Sequence, residues 1–300
     1  MRKPNALLLV LLAVSWMTAD VFAFSSPTDA RDLRFADPPA SVRLLPIRHG
    51  RPDDLTRVES EVSELLSLGY GGLVVNAPFG SGYLTTTNGW DTFRRVIRRC
   101  REKGLSLWLY DEDGYPSGSA RDLVLRDHPQ WEASGILVAS VDGAGGETVR
   151  LTLPPGRHMR TFVCPMSGDK PDCAHGRFIS ASPLDGVISV AFPGTSDERW
   201  RAMAVTVGTV YEGSHASINI ARKAKYPNLL LKEVGAQFVA VTHDTYANRL
   251  GDDLQAFEAT FTDEPSLMTF WFSSMPYVPL PWSEDLAMAY EKASGCALLD

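Results

Sequence analysis

The sequence predicts an α/β fold built from buried parallel strands and amphipathic helices. Between residues 42 and 125, strand-like apolar runs alternate with stretches of helical periodicity, and the connections are short. Strands joined in this way run parallel through right-handed crossovers. Two of the runs, ending near residues 110 and 261, pass directly into acidic residues followed by Gly or Pro. Active sites of (β/α)8 barrels, or TIM barrels, lie at this end of the strands, so the pattern predicts a TIM-barrel-type catalytic domain.

The first elements of this pattern are two strands and the helix between them. Residues 42–46 are the first strand candidate. Asp53 is positioned to cap a helix over residues 53–68, where apolar side chains recur at helical spacing. The continuous apolar run 72–76 is typical of a strand that is buried on both faces of its sheet.

The next helix and strand repeat the pattern. Residues 91–103 predict a helix because apolar side chains recur along one face, and Cys100 belongs to that buried stripe. Residues 105–110 form the third strand candidate. Helical spacing returns after residue 227, and it leads to a fourth parallel strand candidate over residues 257–262.

A segment with a different period separates the third and fourth strands. Between residues 135 and 224, short alternating runs punctuated by Gly, Pro, Asp and Ser predict an antiparallel β unit. Its strand candidates are 136–141, 148–153, 187–192 and 202–211. The expected domains are therefore a signal peptide (1–23), the N-terminal part of a barrel (41–130), an inserted β-rich domain (131–225) and a continuation of the barrel (226–300).

The number of parallel strands predicts that the barrel is incomplete at its C-terminus. Four candidates are counted, whereas a closed barrel of this type has eight. The residues after Thr262 are too few for four more strand–helix units of roughly 30 residues each. We therefore expect a fragment of a longer enzyme that is inactive alone.

The N-terminus has the features of an export signal. Arg2 and Lys3 precede an apolar run over residues 6–14, which is too short to span a bilayer, and Val21 and Ala23 follow at the positions that signal peptidase reads. Cleavage after Ala23 would give a secreted or periplasmic protein without a membrane anchor. In such a compartment Cys164 and Cys173 either form a disulfide or stay as two free thiols, and the spacing does not decide between them.

The charge and composition exclude several classes of function. The chain of 300 residues has a formal net charge of -7 and a pI of about 5.4. An arginine-rich stretch between Arg94 and Arg101 is interpreted as the solvated face of one helix, so no nucleic-acid surface is predicted. No Walker phosphate loop, nucleophile elbow or zinc-binding spacing is present in the sequence. Neutral sugars remain compatible with the acidic charge, and the oligomeric state is not predicted.

Glu264 is the first candidate for a catalytic residue. It follows the fourth strand and precedes Pro265. A carboxyl group that is partly desolvated there would have a raised pKa and could donate a proton to a leaving oxygen. The alternative is a carboxylate that only stabilises the start of a helix opened by Pro265.

The acidic run after the third strand is the second candidate site. Asp111, Glu112 and Asp113 are expected to bind sugar hydroxyls, and a Ca²⁺ ion on this run, as in a metal-dependent hydrolase, is an alternative. No other cofactor is predicted. Side chains on the same rim complete the expected substrate-binding set, which adds Asn76, His49, Tyr115 and Asp263.

Four sequence runs together resemble a known family. They are LPIRHGRP (45–52), GGLVVN (71–76), YDEDGYPSG (110–118) and FTDEPS (261–266). These runs are similar to the α-L-rhamnosidases of glycoside hydrolase family 106. The resemblance implies a (β/α)8 catalytic barrel with β insertions, an acid-type role for Glu264 and a partner carboxylate on a later strand. The predicted function is an exported glycoside hydrolase, and a non-catalytic carbohydrate-binding protein with a degenerate barrel is the alternative.

Overall fold

The structure is a computed structural model that describes most of the chain. The described residues are 34–49, 54–77, 82, 84–85, 87, 89–113, 115–210, 225–267 and 279–299. The predicted signal peptide, residues 1–23, lies outside them. Within the described ranges, no helix has the length and apolar character needed to cross a membrane.

The described residues form two regions: one combines helices with parallel strands, and the other consists mainly of antiparallel strands. The helices are α1 (Leu55–Ser67), α2 (Trp90–Glu102), α3 (Lys232–Val241), α4 (His243–Leu250) and α5 (Glu284–Ser294). The strands are β1 (Ile47–Arg48), β2 (Gly72–Asn76), β3 (Ser106–Tyr110), β4 (Ser134–Ala144), β5 (Thr148–Thr152), β6 (Arg157–Ser167), β7 (Lys170–Pro171), β8 (Arg177–Phe178), β9 (Val187–Ala191), β10 (Arg199–Thr209), β11 (Phe257–Phe261) and β12 (Leu280–Trp282).

A four-stranded parallel sheet carries the candidate site. Its order is β1-β2-β3-β11, and all three pairings are parallel. Strand β2 has the predicted bounds, and all of its residues are buried. The fold of the described residues is therefore mixed α/β with parallel strands, and a complete eight-stranded barrel is not shown.

Helices α1 and α2 cover one face of this sheet. Phe93, Ile97 and Cys100 of α2 are completely buried and share a core with Leu107 and Leu109 of β3. Strand residues alternate between faces, so Trp108 lies on the opposite face and is 38% exposed.

Two element boundaries differ from the sequence-based prediction. The predicted strand 42–46 is wrong, because Ala40–Val42 is a 3-10 helix and pairing with β2 begins only at Ile47. The side chains of Val42 and Leu44 are exposed, so their apolar character did not indicate a buried strand. Helix α1 is capped by Asp54, whose carboxylate accepts the N–H of Arg57 at 2.8 Å, and Asp53 lies outside the described residues.

The arginine-rich face of α2 forms specific ion pairs. Arg98 donates twice to Asp253, at 2.9 Å to each carboxylate oxygen, and Arg99 donates to Glu59 of α1. Asp253 lies in the 3-10 helix Gly251–Ala256 that leads into β11. These ion pairs are exposed to solvent, so this face is solvated, and two of its arginines also connect α2 to its neighbours.

The inserted segment forms antiparallel sheets with their own core. Strands β4 and β10 pair over eleven residues each, and β10 also pairs with β6. The two-stranded sheet of β5 and β9 contributes Leu151, Ile188 and Val190 to a core shared with Val163 of β6. The sequence analysis missed β6, because Cys164-Pro165 and the following Gly and Pro residues are typical of a loop.

One late strand joins this antiparallel region. Strand β12 pairs with β4, with Leu280 opposite Ile136 and Trp282 opposite Ser134. The Trp282 carbonyl accepts a hydrogen bond from the side-chain amide of Asn228 at 2.8 Å. Residues 280–282 were expected to continue the barrel, whereas their hydrogen bonds place them in the antiparallel sheet.

Candidate functional site

The acidic run after β3 and the loop after β11 meet at the C-terminal edge of the parallel sheet. Phe261 lies opposite Tyr110 at the ends of these neighbouring strands. The N–H of Asp111 donates to the Phe261 carbonyl at 3.1 Å, which extends the pairing by one residue. Further on, the Ser117 N–H donates to the Asp263 carbonyl at 2.8 Å, and the Asp263 N–H donates to Ser117 Oγ at 2.9 Å. These bonds hold the two loops together.

Glu112 organises the loop that follows β3. Its side chain is completely buried. Its carboxylate accepts four backbone N–H groups, from Asp113, Gly118, Ala120 and Arg121, at 2.7–3.0 Å. Burial raises the pKa of Glu112 to about 7, and the amide donors limit this rise because they stabilise the charged form. The loop is thus folded around a single carboxylate.

The backbone conformation of this loop explains how several amides reach one carboxylate. Ala120, Arg121 and Asp122 have φ angles of 47°, 50° and 72°, in the left-handed region. Successive N–H groups in such turns form a concave site for an anion. Gly118 has φ 136°, and a Cβ atom there would lie 2.9 Å from the Tyr226 hydroxyl. Glycine therefore fits this position for both conformational and steric reasons.

Asp111 is a second buried carboxylate at the rim. Its Oδ1 accepts the Ser117 hydroxyl at 2.9 Å, and its Oδ2 accepts the Thr262 hydroxyl at 2.5 Å. Burial raises the pKa of Asp111, and the two hydrogen bonds partly oppose that rise. Because Thr262 follows β11, this carboxylate connects the ends of two strands.

His243 approaches Asp111 from the first turn of α4, and the sequence analysis did not predict it. Its Nε2 lies 3.9 Å from Asp111 Oδ2, and its ring contacts Phe238 and Tyr246 edge-on. The Tyr246 hydroxyl donates to the Asp111 carbonyl at 2.7 Å. The available sequence signal was the i, i+3 spacing of His243 and Tyr246 on one helix face, which alone does not indicate a site.

Two tyrosines bind the carboxylates of the β11 loop. The Tyr110 hydroxyl donates to Asp263 Oδ2 at 2.5 Å, and the Tyr115 hydroxyl donates to Glu264 Oε2. Burial, together with the hydrogen bond to Asp263, raises the pKa of Tyr110, so this phenol remains a donor at neutral pH. Glu264 differs from the buried carboxylates because its side chain is exposed to solvent.

Glu264 also has an unusual backbone conformation. Its φ of 42° lies in the left-handed region, which costs a non-glycine residue on the order of 1–3 kcal/mol. Residues 262–266 have no regular secondary structure, so Pro265 does not open a helix at this point. The exposed position also removes the desolvation that the sequence argument for Glu264 required.

Asn76 and His49 extend the rim toward β1. Asn76 is completely buried, and its side-chain amide donates to the Glu112 carbonyl at 2.9 Å. His49 Nδ1 lies 3.3 Å from Asn76 Oδ1, and the His49 ring contacts the Tyr110 ring edge-on with centroids 5.5 Å apart. The ends of all four parallel strands are therefore linked by side-chain contacts.

The third carboxylate of the acidic run has a different partner. Arg121 Nη1 donates to Asp113 Oδ2 at 2.5 Å, and this ion pair is partly buried. In the part of the chain that the structure describes, no three His, Cys, Asp or Glu side chains are grouped so that they could hold a metal ion. The carboxylates of the acidic run therefore accept hydrogen bonds mainly from donors within the protein.

The structure brings the predicted site residues to one edge but gives them different environments. Glu112, Asp111 and Asn76 are completely buried and hydrogen-bonded within the protein. The more accessible members of the predicted set are Glu264, Asp263, Asp113, Tyr115 and His49. Direct contact of any of these residues with a sugar stays a prediction.

The fold and the site define a mixed α/β protein with carboxylates and tyrosines at the C-terminal edge of a parallel sheet. A scan against models of protein families finds no match, and a search of curated proteins also finds none. A search of solved structures finds several similar chains, including a rhamnosidase from Novosphingobium sp. PP1Y. That match has 11% sequence identity and a TM-score of 0.47, and it covers 90% of this chain and 42% of the rhamnosidase chain. Similarity of this degree assigns neither a family nor an activity.

Proposed function

We propose that this chain carries the acid-bearing part of a glycoside hydrolase. The observation that supports the proposal is the exposed carboxylate of Glu264 at the C-terminal edge of a parallel sheet, where Tyr115 donates a hydrogen bond to it. Its left-handed backbone conformation is of the kind that clusters at functional sites. In most glycoside hydrolases one carboxyl group of a pair protonates the glycosidic oxygen, and Glu264 has the accessible position that contact with a substrate needs.

The surrounding residues have distinct roles in this proposal. Glu264 protonates the leaving oxygen, because its side chain can reach a bound substrate. Asp263 accepts hydrogen bonds from sugar hydroxyls, His49 contributes its imidazole ring to the same rim, and Tyr115 offers a ring for stacking against the sugar. Asp111 and Glu112 are positioning residues, because their carboxylates are buried and bind donors from the two rim loops.

The finer parts of the proposal rest on the four sequence runs that resemble family 106. On that basis the parallel sheet belongs to a (β/α)8-type barrel, and the sugar is an α-L-rhamnoside. A partner carboxylate is expected on a later strand of such a barrel, since glycoside hydrolysis normally uses two acidic residues. Activity is thus proposed for the whole protein to which these residues belong.

A panel of aryl glycosides tests this proposal directly. We expect release of the chromophore from the α-L-rhamnopyranoside and little release from the matched β-D-glucopyranoside. Binding of free L-rhamnose is measured in parallel by ligand-observed NMR. Absence of both turnover and binding in a folded, full-length preparation would contradict the proposal.

A second candidate is a non-catalytic carbohydrate-binding protein. It is favoured by the internal engagement of the acidic run, because Asp111, Glu112 and Asp113 all accept hydrogen bonds from the protein. The rim would then recognise a sugar through its exposed side chains without hydrolysing it. Saturable L-rhamnose binding without turnover on any aryl glycoside would favour this candidate over the hydrolase.

The proposal also includes export of the protein. It is supported by the positively charged start, the short apolar run and the residues Val21 and Ala23 at the positions that signal peptidase reads. We expect N-terminal sequencing of protein collected outside the cytoplasm to begin at Phe24. Mature protein that remains in the cytoplasm and retains Met1 would contradict export.

A further inference from the structure

Cys164 lies in β6, and Cys173 directly follows the hairpin formed by β6 and β7. The hairpin register pairs Ser167 with Lys170 and Met166 with Pro171. Continuing it by one residue places Pro165 opposite Asp172, and the next residue, Cys173, begins the 3-10 helix Cys173–His175. The Asp172 N–H donates to the Pro165 carbonyl at 2.8 Å, which shows that the register continues beyond the assigned strands.

The end of this hairpin brings the two cysteines together. Pro165 and Asp172 are held as neighbours by the backbone hydrogen bond, and Cys164 and Cys173 are the residues next to them in the chain. Cys173 leaves the strand pairing as the first residue of the 3-10 helix, and its thiol lies within hydrogen-bonding distance of the Cys164 thiol. Thiols this close are compatible with the Cα separation of about 4.4–6.8 Å that a disulfide spans.

The environment of the two thiols agrees with this geometry. Both cysteines are free thiols in the structure, and the Cys173 thiol is hydrogen-bonded to the Cys164 thiol. Cys164 is completely buried, whereas Cys173 is exposed. The chain also returns over Cys164, since a Cβ atom on Gly176 would lie 2.8 Å from its sulfur.

We propose that Cys164 and Cys173 are a site of disulfide formation that closes the β6–β7 hairpin. The oxidant is a small-molecule disulfide or an oxidised dithiol protein. The exposed Cys173 thiolate, after losing its proton to solvent, attacks one oxidant sulfur and releases one thiolate. Cys164 then loses its proton, attacks the Cys173 sulfur and releases the second thiolate. Two electrons pass to the oxidant, and each released thiolate takes up a proton to become a thiol.

The chemistry assigns the order of these two attacks. Burial raises the pKa of the Cys164 thiol to about 11, so little of it is thiolate at neutral pH. Oxidants in solution also contact Cys173 directly, whereas Cys164 is covered. The disulfide would reduce the conformational freedom of the unfolded chain, which is the usual way in which a disulfide stabilises a protein.

Oxidation of the native chain with oxidised glutathione tests the proposal. The parent for this experiment is the full chain with Cys296→Ser, which removes the other exposed thiol and leaves Cys100, Cys164 and Cys173. After oxidation in native buffer and later denaturation, we expect only Cys100 to react with a thiol reagent. Non-reducing peptide mapping should show one peptide pair that joins residues 164 and 173.

Matched variants separate this disulfide from other oxidation products. Adding Cys173→Ser to the parent should leave both remaining thiols without an intramolecular link, and adding Cys100→Ser instead should leave the link between 164 and 173 intact. The link should form to the same extent at low and high protein concentration, because it is intramolecular. Three unlinked thiols in the oxidised native parent, or a link that forms only in urea, would overturn the proposal.

Discussion

In a preparation that hydrolyses aryl glycosides, Glu264→Gln is expected to reduce turnover by about two to four orders of magnitude, the usual contribution of a positioned general acid. The amide keeps the size of the side chain and its acceptor for the Tyr115 hydroxyl, but it has no acidic proton to give to the leaving oxygen. Sugar binding should therefore change little. The measurement is kcat on an aryl glycoside with a poor leaving group, together with L-rhamnose binding.

Glu258→Gln is a matched control for this experiment. Glu258 lies on the same strand, β11, and is also exposed, but it is near the strand's opposite end, where it accepts the Ser106 hydroxyl at 2.9 Å. We expect its kcat to stay within about two-fold of the unmodified protein, because surface substitutions away from a site have small effects. Equal activity of the two variants would exclude Glu264 as the acid.

Glu112→Ala is expected to lower the free energy of unfolding by about 3–5 kcal/mol, because removing the acceptor leaves buried donors unsatisfied. Four backbone N–H groups of the loop from Asp113 to Arg121 would lose their shared acceptor. The same loop carries Tyr115 and Ser117, so activity should fall with stability. The measurement is urea denaturation at pH 8, followed by circular dichroism.

The control for the Glu112 experiment is a glutamate in an exposed ion pair. Glu59→Gln removes a carboxylate that pairs with Arg99, and it should cost less than about 1 kcal/mol, as exposed pairs usually do. If Glu112→Ala is no more destabilising than Glu59→Gln, the carboxylate does not hold the loop.

The decrease in the free energy of unfolding caused by Glu112→Ala, called the deficit below, should also depend on pH. The pKa of Glu112 is raised from 4.5 to about 7 by burial, so between these values the folded state holds a proton that the unfolded state releases. The resulting contribution to stability is complete below about pH 4.5 and is lost as the pH rises through about 7. The variant lacks this group, so its deficit should be larger at about pH 5 than at about pH 8. A deficit that grows with pH would contradict the burial of this carboxylate.

The parallel part of the fold could be predicted from the sequence because its signals are local. Strand β2 is a continuous apolar run, and its predicted bounds match the structure. Helix α2 begins and ends within one residue of its prediction, since its apolar stripe and the glycines on either side are all close in sequence. The placement of acidic residues at the ends of β3 and β11 followed from the same signals.

Other elements depended on partners that are distant in sequence. The sequence of strand β6 contains Pro165 and is typical of a loop, but the strand lies between β10 and the short strands β7 and β8 in the sheet. Residues 42–46 contain Val42, Leu44 and Leu45, but the pairing with β2 starts at Ile47. In both cases strand formation depended on which backbone groups could hydrogen-bond to another strand. A local sequence pattern carries no information about those distant partners.

The sequence by itself determined that carboxylates collect at one edge of a parallel sheet, because parallel strands all end at the same edge. Only the tertiary structure decided which of them are buried and which face solvent. Glu112 is enclosed by a loop with left-handed backbone conformations. Asp111 accepts a hydrogen bond from the Thr262 hydroxyl and lies near His243, and Glu264 remains exposed. The contacts of Asp111 with Thr262 and of Glu264 with Tyr115 join residues more than a hundred positions apart, whereas Glu112 accepts hydrogen bonds from its own loop. Burial together with these hydrogen bonds determines how readily the Asp111 and Glu112 carboxyl groups bind or release a proton.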